Sequence, residues 1–184
     1  MPEPSFSPFP KIETGRLLLR QIIKTDAAEL LLLRSSEKVM QYIDKERTKT
    51  IPEAEELIKR IENDINNNEG ITWGISLKQK PEKLIGTIGF WRIIKNHYRA
   101  EIGYMIHPDY WGKGLMKEAV QAVIDFGFSA IQLHSIEAHI NPANRASAAL
   151  LEKTGFVREA YFKEDFFFRG KFLDTAIYSL LKKT

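Results

Sequence analysis

The chain predicts an α/β layer fold, a mixed sheet with helices packed against it, and three observations carry that expectation. Apolar residues switch along the chain between a period of two, the strand repeat, and a period of about 3.6, the helix repeat. Two apolar strands, at residues 100–106 and 135–140, are separated by one helical stretch, which makes a βαβ unit with parallel strands. Finally, 184 residues, 43% of them hydrophobic, supply one core, and no internal repeat divides them.

Each element then reads in order. Residues 16–22 form a first strand, and Thr25 or Asp26 stands where it can cap a helix carrying Leu30, Leu31 and Leu33. Ile51-Pro52-Glu53 opens a second helix, on which Ala54, Leu57, Ile58 and Ile61 share a stripe, and Asn66-Asn67-Asn68 ends it. Residues 71–77 and 84–94 are strands joined by a charged turn containing Pro81, and the turn at 95–99 leads into 100–106 as an antiparallel meander. On that last strand Ile102, Tyr104 and Ile106 share one face, with Glu101, Gly103 and Met105 on the other. The next helix carries Leu115, Ala119, Ala122, Val123 and Phe126 and is expected to stop near Gly127. Asn144 heads a further helix, Gly155 supplies its left-handed stop, and strands at about 156–165 and 172–181 close the sheet.

Composition removes whole classes of function. The chain has no cysteine, so disulfides, thiolate nucleophiles and cysteine metal sites are excluded. His97, His107, His134 and His139 show no metal-ligand spacing, and no metal is expected. Lys and Arg exceed Asp and Glu by 27 to 24, a net charge of +3 that helps attract a polyanion but, with no basic run interleaved with aromatics, gives no nucleic-acid signature. The opening segment, Met1 to Pro10, has four prolines and neither a basic start nor an apolar run. It reads as an extended arm over residues 1–12, ahead of a single domain at 13–184, with no signal peptide or membrane span and a cytoplasmic location by default.

The stretch from Tyr104 to Met116 reads as an anion cradle. Here an apolar strand runs through Pro108 into Trp111-Gly112-Lys113-Gly114-Leu115, a glycine-paired loop that opens a helix. The glycines let backbone approach a ligand, and first-turn N–H groups lack intrahelical partners, so with the helix dipole they favour a phosphate or pyrophosphate. The competing reading of the same residues is a plain strand-to-helix turn without a ligand.

Downstream, Asn141-Pro142-Ala143-Asn144-Arg145-Ala146-Ser147 leads to Leu151 and Gly155-Phe156. Together with Glu13-Thr14-Gly15-Arg16-Leu17-Leu18-Leu19-Arg20 and the Trp-Gly-Lys-Gly loop, these segments resemble the GNAT family of acyl-CoA-dependent N-acetyltransferases, and within it the RimJ/RimL branch, which acetylates protein N-termini. The resemblance runs from about residue 14 to 181. It implies a seven-stranded, mostly antiparallel sheet splayed between its fourth and fifth strands, with acetyl-CoA as co-substrate in the splay. Carried onto this chain, strand contacts to the pantetheine arm fall at Met105 and Ile106, and phosphate donors at Trp111, Gly112, Lys113, Gly114, Leu115 and Met116. Asn144 would bind the pantetheine amide, although propensity alone makes it a helix cap. Asp109 departs from the Gln or Arg usual at that position in the family.

The resemblance also implies the chemistry. Ser147 would serve the departing CoA thiolate, since the tyrosine that many family members use is Leu151 here; the plainer reading is a small residue for close helix packing. For the base that takes the amine proton, Glu101 is the first candidate and Glu164 the second, because the branch's usual glutamate position holds Phe166. The plainer role of Glu101 is an ion pair with Arg92 or Arg99. The expected activity is acetyl transfer from acetyl-CoA to a primary amine in a ternary complex, with a protein or peptide N-terminus as acceptor. Polyamines, aminoglycosides or amino-acid-like metabolites are the alternative acceptors, and a non-catalytic acyl-CoA-sensing domain is the alternative outside enzymes. Phe166-Phe167-Phe168 on a strand must present at least one apolar face, to a substrate or to a second copy of the chain in a homodimer.

Overall fold

In the computed structural model, which describes residues 4–183, one eight-stranded sheet organises the chain. In chain order the strands are β1 (Ile12–Glu13), β2 (Leu17–Gln21), β3 (Ile71–Leu77), β4 (Gly86–Ile94), β5 (Arg99–Ile106), β6 (Ser135–Ile140), β7 (Val157–Phe168) and β8 (Lys171–Leu181). They lie in the order β1-β2-β3-β4-β5-β6-β8-β7. All neighbours are antiparallel except β5 and β6, the parallel pair that the βαβ pattern predicts. The expected seven strands become eight because the two-residue β1 folds back on β2.

The helices are α1 (Ala27–Ser35), α2 (Glu37–Met40), α3 (Ile51–Asn66), α4 (Leu115–Ser129) and α5 (Arg145–Lys153). Two corrections concern helix ends. Asp26 does not cap α1 with its side chain. It is buried and paired with Arg20 through two contacts of 2.7 Å while accepting the Ile23 N–H at 2.8 Å, because a buried carboxylate gains more from a guanidinium fork than from a cap. Helix α4 runs past Gly127 to Ser129; the glycine is there for packing, since a Cβ would come within 2.9 Å of the Phe90 ring. Thr50 caps α3 at the Glu53 N–H, as the Pro52 start suggests.

Two apolar clusters lie on the two faces of the sheet. The larger holds Leu17, Leu19, Trp73, Phe90, Ile102 and Ile106 against α4 and Leu151 of α5. The smaller holds Ile22, Leu30, Leu33, Ile58 and Leu84 under α1 and α3, with Met105 packed beside it. Residues of the N-terminal arm enter the larger cluster: Phe6 is buried there, and the Pro10 carbonyl accepts the Trp73 indole N–H at 2.6 Å.

Strand pairing positions the site. β5 and β6 pair only at Arg99–Ser135, Ala100–Ile136 and Glu101–Glu137, and beyond these residues each keeps only its other neighbour. The sheet therefore opens into a wedge from Ile102 onward, at the place where the resemblance puts the splay.

Candidate active site

The wedge exposes unpaired backbone. The His107 N–H donates to the Ile85 carbonyl across β4, so by strand alternation the peptide groups of Met105 also face β4, and those of Tyr104 and Ile106 face the opening. The Ile106 carbonyl is taken by the Trp111 indole N–H at 2.8 Å, which leaves the Ile106 N–H as the free donor there. Met105, expected to contact the pantetheine arm through its backbone, instead sends its side chain to the α1–α3 face.

At the end of β5, Pro108–Tyr110 forms a 3-10 turn and the chain enters the glycine loop. Gly112 and Gly114 adopt φ of 70° and 71°, the left-handed region that an L side chain strains to enter, and Gly114 is the N-cap of α4. Among the described residues, no backbone hydrogen bond is donated by residues 112–117, so the loop and first turn present a row of free N–H groups. A Cβ on Gly112 would meet nothing within 4 Å, so open space lies beside the loop. These observations fit a pyrophosphate. Leu115 is buried and Met116 packs on the core, so both anchor the helix and offer only backbone to a ligand. The Lys113 ammonium lies 5.6 Å from the Tyr110 ring centre. Asp109, the acidic departure, rests 3.5 Å from His107 Nδ1.

Arg16, read from sequence as the start of the first strand and as part of a family marker, is instead a bend residue just before β2. Its guanidinium donates to Glu118 at 2.7 Å and to the Lys113 carbonyl at 2.9 Å, placing a cation against the glycine loop. Burial works against the Glu118 charge, but hydrogen bonds from Thr14 and Arg16 hold its carboxyl below the usual carboxylate range. The Thr-Gly-Arg motif is thus a brace between the start of the sheet and the first turn of α4.

Across the wedge, Asn144 caps α5 by accepting the Ser147 N–H at 3.0 Å, and its amide NH2 makes no hydrogen bond among the described residues. Ser147 is 8% exposed, and its hydroxyl lies 2.8 Å from the Tyr104 hydroxyl. Tyr104 is the second residue that sequence reasoning missed. The signal was available: a tyrosine between Ile102 and Ile106 on the core face needs a partner for its hydroxyl. Burial pushes its phenol up to about 12, with the Ser147 hydrogen bond acting the other way, so the phenol keeps its proton. Leu151 is fully buried, so the family's helical tyrosine position is core here.

Glu101 lies on the other sheet face, 6% exposed, with Oε2 3.0 Å from Arg92 Nη1. That ion pair is the plainer role expected for it. The geometry is off-line, because Oε2 is buried without a hydrogen bond. Arg92 reaches it from a bulge in β4, at φ 48°. Next to it Glu137 pairs with Arg99 at 3.1 Å, and His139 Nε2 stands 3.7 Å from Glu137. Glu164 is not gathered into this group. It is exposed on a bulge of β7 with φ 52°, and its N–H donates to Asp174 at 2.9 Å. No group of three or more His, Cys, Asp or Glu residues among those described is arranged to hold a metal, and no helix among them is long and apolar enough to cross a membrane.

A splayed parallel pair facing a glycine loop at a helix N-terminus is the arrangement that the resemblance to CoA-dependent acyltransferases implies, and comparison with known proteins agrees. Residues 16–157 match the acetyltransferase (GNAT) domain model, and the chain belongs to that family. It is similar to YoaA, an uncharacterized N-acetyltransferase of Bacillus subtilis, at 38% identity over 95% of this chain and 98% of that one. Among solved structures it resembles spermidine N-acetyltransferase from Vibrio cholerae in complex with CoA and spermine, with TM-score 0.80 and 28% identity over 91% of this chain and 96% of that one. It also resembles ribosomal-protein-S5-alanine acetyltransferase from Vibrio fischeri, with TM-score 0.82 and 26% identity over 94% and 96%. The protein is an acetyl-CoA-dependent N-acetyltransferase, and acetyl-CoA is its co-substrate.

Proposed function

We propose that the acceptor is the α-amino group of a protein or peptide N-terminus. The observation that carries this reading is the placement of Glu101, the candidate base: its Oε2 is already engaged by Arg92, 3.0 Å away, at the closed end of the wedge. A carboxylate with one oxygen already occupied by a guanidinium offers an incoming ammonium a crowded partner, so the site suits an amine that needs little help. At pH 7 an α-amine with pKa near 8 is ~10% neutral, whereas an alkylamine with the pKa of lysine, near 10.4, is ~0.04% neutral. The roughly 250-fold difference in nucleophile concentration favours the α-amine.

In this reading each residue has one role. Glu101 accepts the amine proton, directly or through water, from the α1–α3 face. The Ile106 N–H polarises the acyl carbonyl, and Ser147, with the protonated Tyr104 phenol 2.8 Å behind it, supplies a proton at the departing sulfur. Gly112 to Met116 hold the pyrophosphate and Asn144 the pantetheine amide; acetyl-CoA itself contributes the activated acyl group. Glu164 has no part in this scheme. We assign the cytoplasm as the location, where acetyl-CoA and nascent N-termini occur together. The exposed Phe167, Phe172 and Val157 on β7–β8 supply an apolar face for a homodimer.

Release of free CoA thiol from acetyl-CoA, measured against N-terminal peptides, polyamines and aminoglycosides, tests the acceptor class. The cysteine-free chain gives no background with a thiol reagent. Turnover with peptides is expected; turnover confined to polyamines or aminoglycosides would overturn the reading.

A further inference from the structure

Beside Glu101 the chain builds a positively charged hollow. Two adjoining cavities, of about 420 and 340 Å³, share Lys45 and Arg47 and lie between α1–α3 and the tip of the β7–β8 hairpin. Several of the charges lining them are already engaged within the chain. Glu37 pairs with Arg47 and Glu46 with Arg169, each at 2.8 Å; Glu53 accepts the Lys49 N–H, and Glu56 lies 3.8 Å from Lys59.

What remains is one-sided. Arg34, Lys45, Arg60 and Lys171 have no ion pair among the described residues, against the two carboxylates Asp44 and Glu53, the latter already bonded to a backbone N–H. Arg34 and Arg60 project from two packed helices into the same hollow, and Arg34 Nε is buried with no hydrogen-bond partner. Lys45 sits beside them, its ammonium 5.0 Å from the Trp91 ring centre. Desolvation lowers the pKa of both Arg34 and Lys45, and the next cause in each case is a neighbouring arginine, Arg60 for Arg34 and Arg34 for Lys45. A folded chain gains nothing by crowding like charges and leaving a guanidinium donor unpaired, so this arrangement is explained by a ligand that completes it.

We infer that Arg34, Lys45 and Arg60 form an anion subsite for the acceptor, so that the preferred substrate is a peptide whose amine is followed within a few residues by carboxylate side chains. This rests on the N-terminal acceptor reading and narrows it. Arg34 offers Nε and the guanidinium fork, Lys45 bridges the subsite to the edge of the Glu101 pocket, and the same cations repel a polyamine.

Peptides that share one N-terminal residue and carry Asp-Glu, Asn-Gln or Lys-Lys next in sequence test the subsite by turnover. The acidic peptide is expected to show a KM about tenfold below the neutral one and further below the basic one, the gap shrinking as salt is raised. Arg60→Gln, at an exposed position of α3, should bring the acidic peptide to the neutral KM while leaving the KM for acetyl-CoA unchanged; Arg34→Gln should do the same. Equal KM values for the three peptides, or a variant effect that is the same on all three, would overturn the inference. A second readout needs no turnover: an N-acetylated Asp-Glu dipeptide, which cannot react, should raise the melting temperature of the wild type and not of Arg60→Gln. If the dipeptide binds and no peptide is acetylated, the N-terminal reading fails and the anion subsite stands. If peptides are acetylated without regard to charge and the dipeptide does not bind, the subsite fails and the N-terminal reading stands.

Discussion

The two sides of the wedge are built from different parts of the chain's chemistry. On the cofactor side, the glycine loop, the first turn of α4 and the free edge of β5 present backbone groups, held by packing and by the Arg16 brace. On the acceptor side that we propose, Glu101, Arg34, Lys45 and Arg60 present side chains that come from β5, α1, a loop and α3. A ligand common to a whole family can be met by conformation alone, since a backbone amide does not depend on residue identity. An acceptor that differs among relatives, spermidine for one and a ribosomal protein for another, is met by side chains that substitution can change freely.

The sharpest way to break this contrast is at the boundary between the sides. Ser147→Ala is expected to lower kcat about a hundredfold with acetyl-CoA affinity unchanged, since it removes a proton donor and leaves the cradle intact. Steady-state kinetics with a calorimetric Kd for acetyl-CoA would separate the two, and a matched loss of binding would show that Ser147 serves the cradle instead. Next in size is Gly114→Val. A β-branched residue at φ 71° costs about 1–3 kcal/mol, so acetyl-CoA should bind roughly ten- to a hundredfold more weakly while the peptide KM holds.

Alkaline pH gives a third test. The Tyr104 phenol is raised in the folded state to about 12, so the unfolded chain loses this proton first. Its contribution is intact below pH 10 and is lost as pH rises from 10 to about 12, by up to about 3 kcal/mol. Urea unfolding of wild type and Tyr104→Phe across that range should show the wild type falling more steeply; parallel curves would mean that the phenol is less enclosed. The smallest expected effect is the most pointed. Lys113→Ala should change acetyl-CoA affinity by less than about fivefold, because the loop's donors are backbone and an exposed cation–π contact is worth about 0.5–1 kcal/mol. A large loss there would move the cofactor side into the side-chain class.

The same contrast explains what could be read from sequence. Strand and helix periodicity, the parallel pair and the glycine loop are local patterns, each contained in a short window, and they appear where expected. Tyr104 and Ser147 are 43 residues apart, and only strand register and the approach of α5 bring their hydroxyls together. Glu101 and Glu137 become neighbours through a parallel ladder just three pairs long. The bulge that carries Glu164, at positive φ between Phe162 and Phe166 of β7, leaves no mark in a count by twos. Asp26 was legible as a helix-start residue, but its pairing with Arg20 depends on burial that no local pattern shows.

The indole bond from Trp111 to the Ile106 carbonyl has an optical consequence. Of the three tryptophans, Trp73 is sealed in the core and Trp91 lies beneath the Lys45 ammonium, while Trp111 is 49% exposed at the rim of the glycine loop. Its ring is tethered to the free edge of β5 and flanks the unpaired amides of the glycine loop. Occupancy of the cradle should therefore alter the emission of a single fluorophore, and the protein carries its own reporter of cofactor arrival without any label.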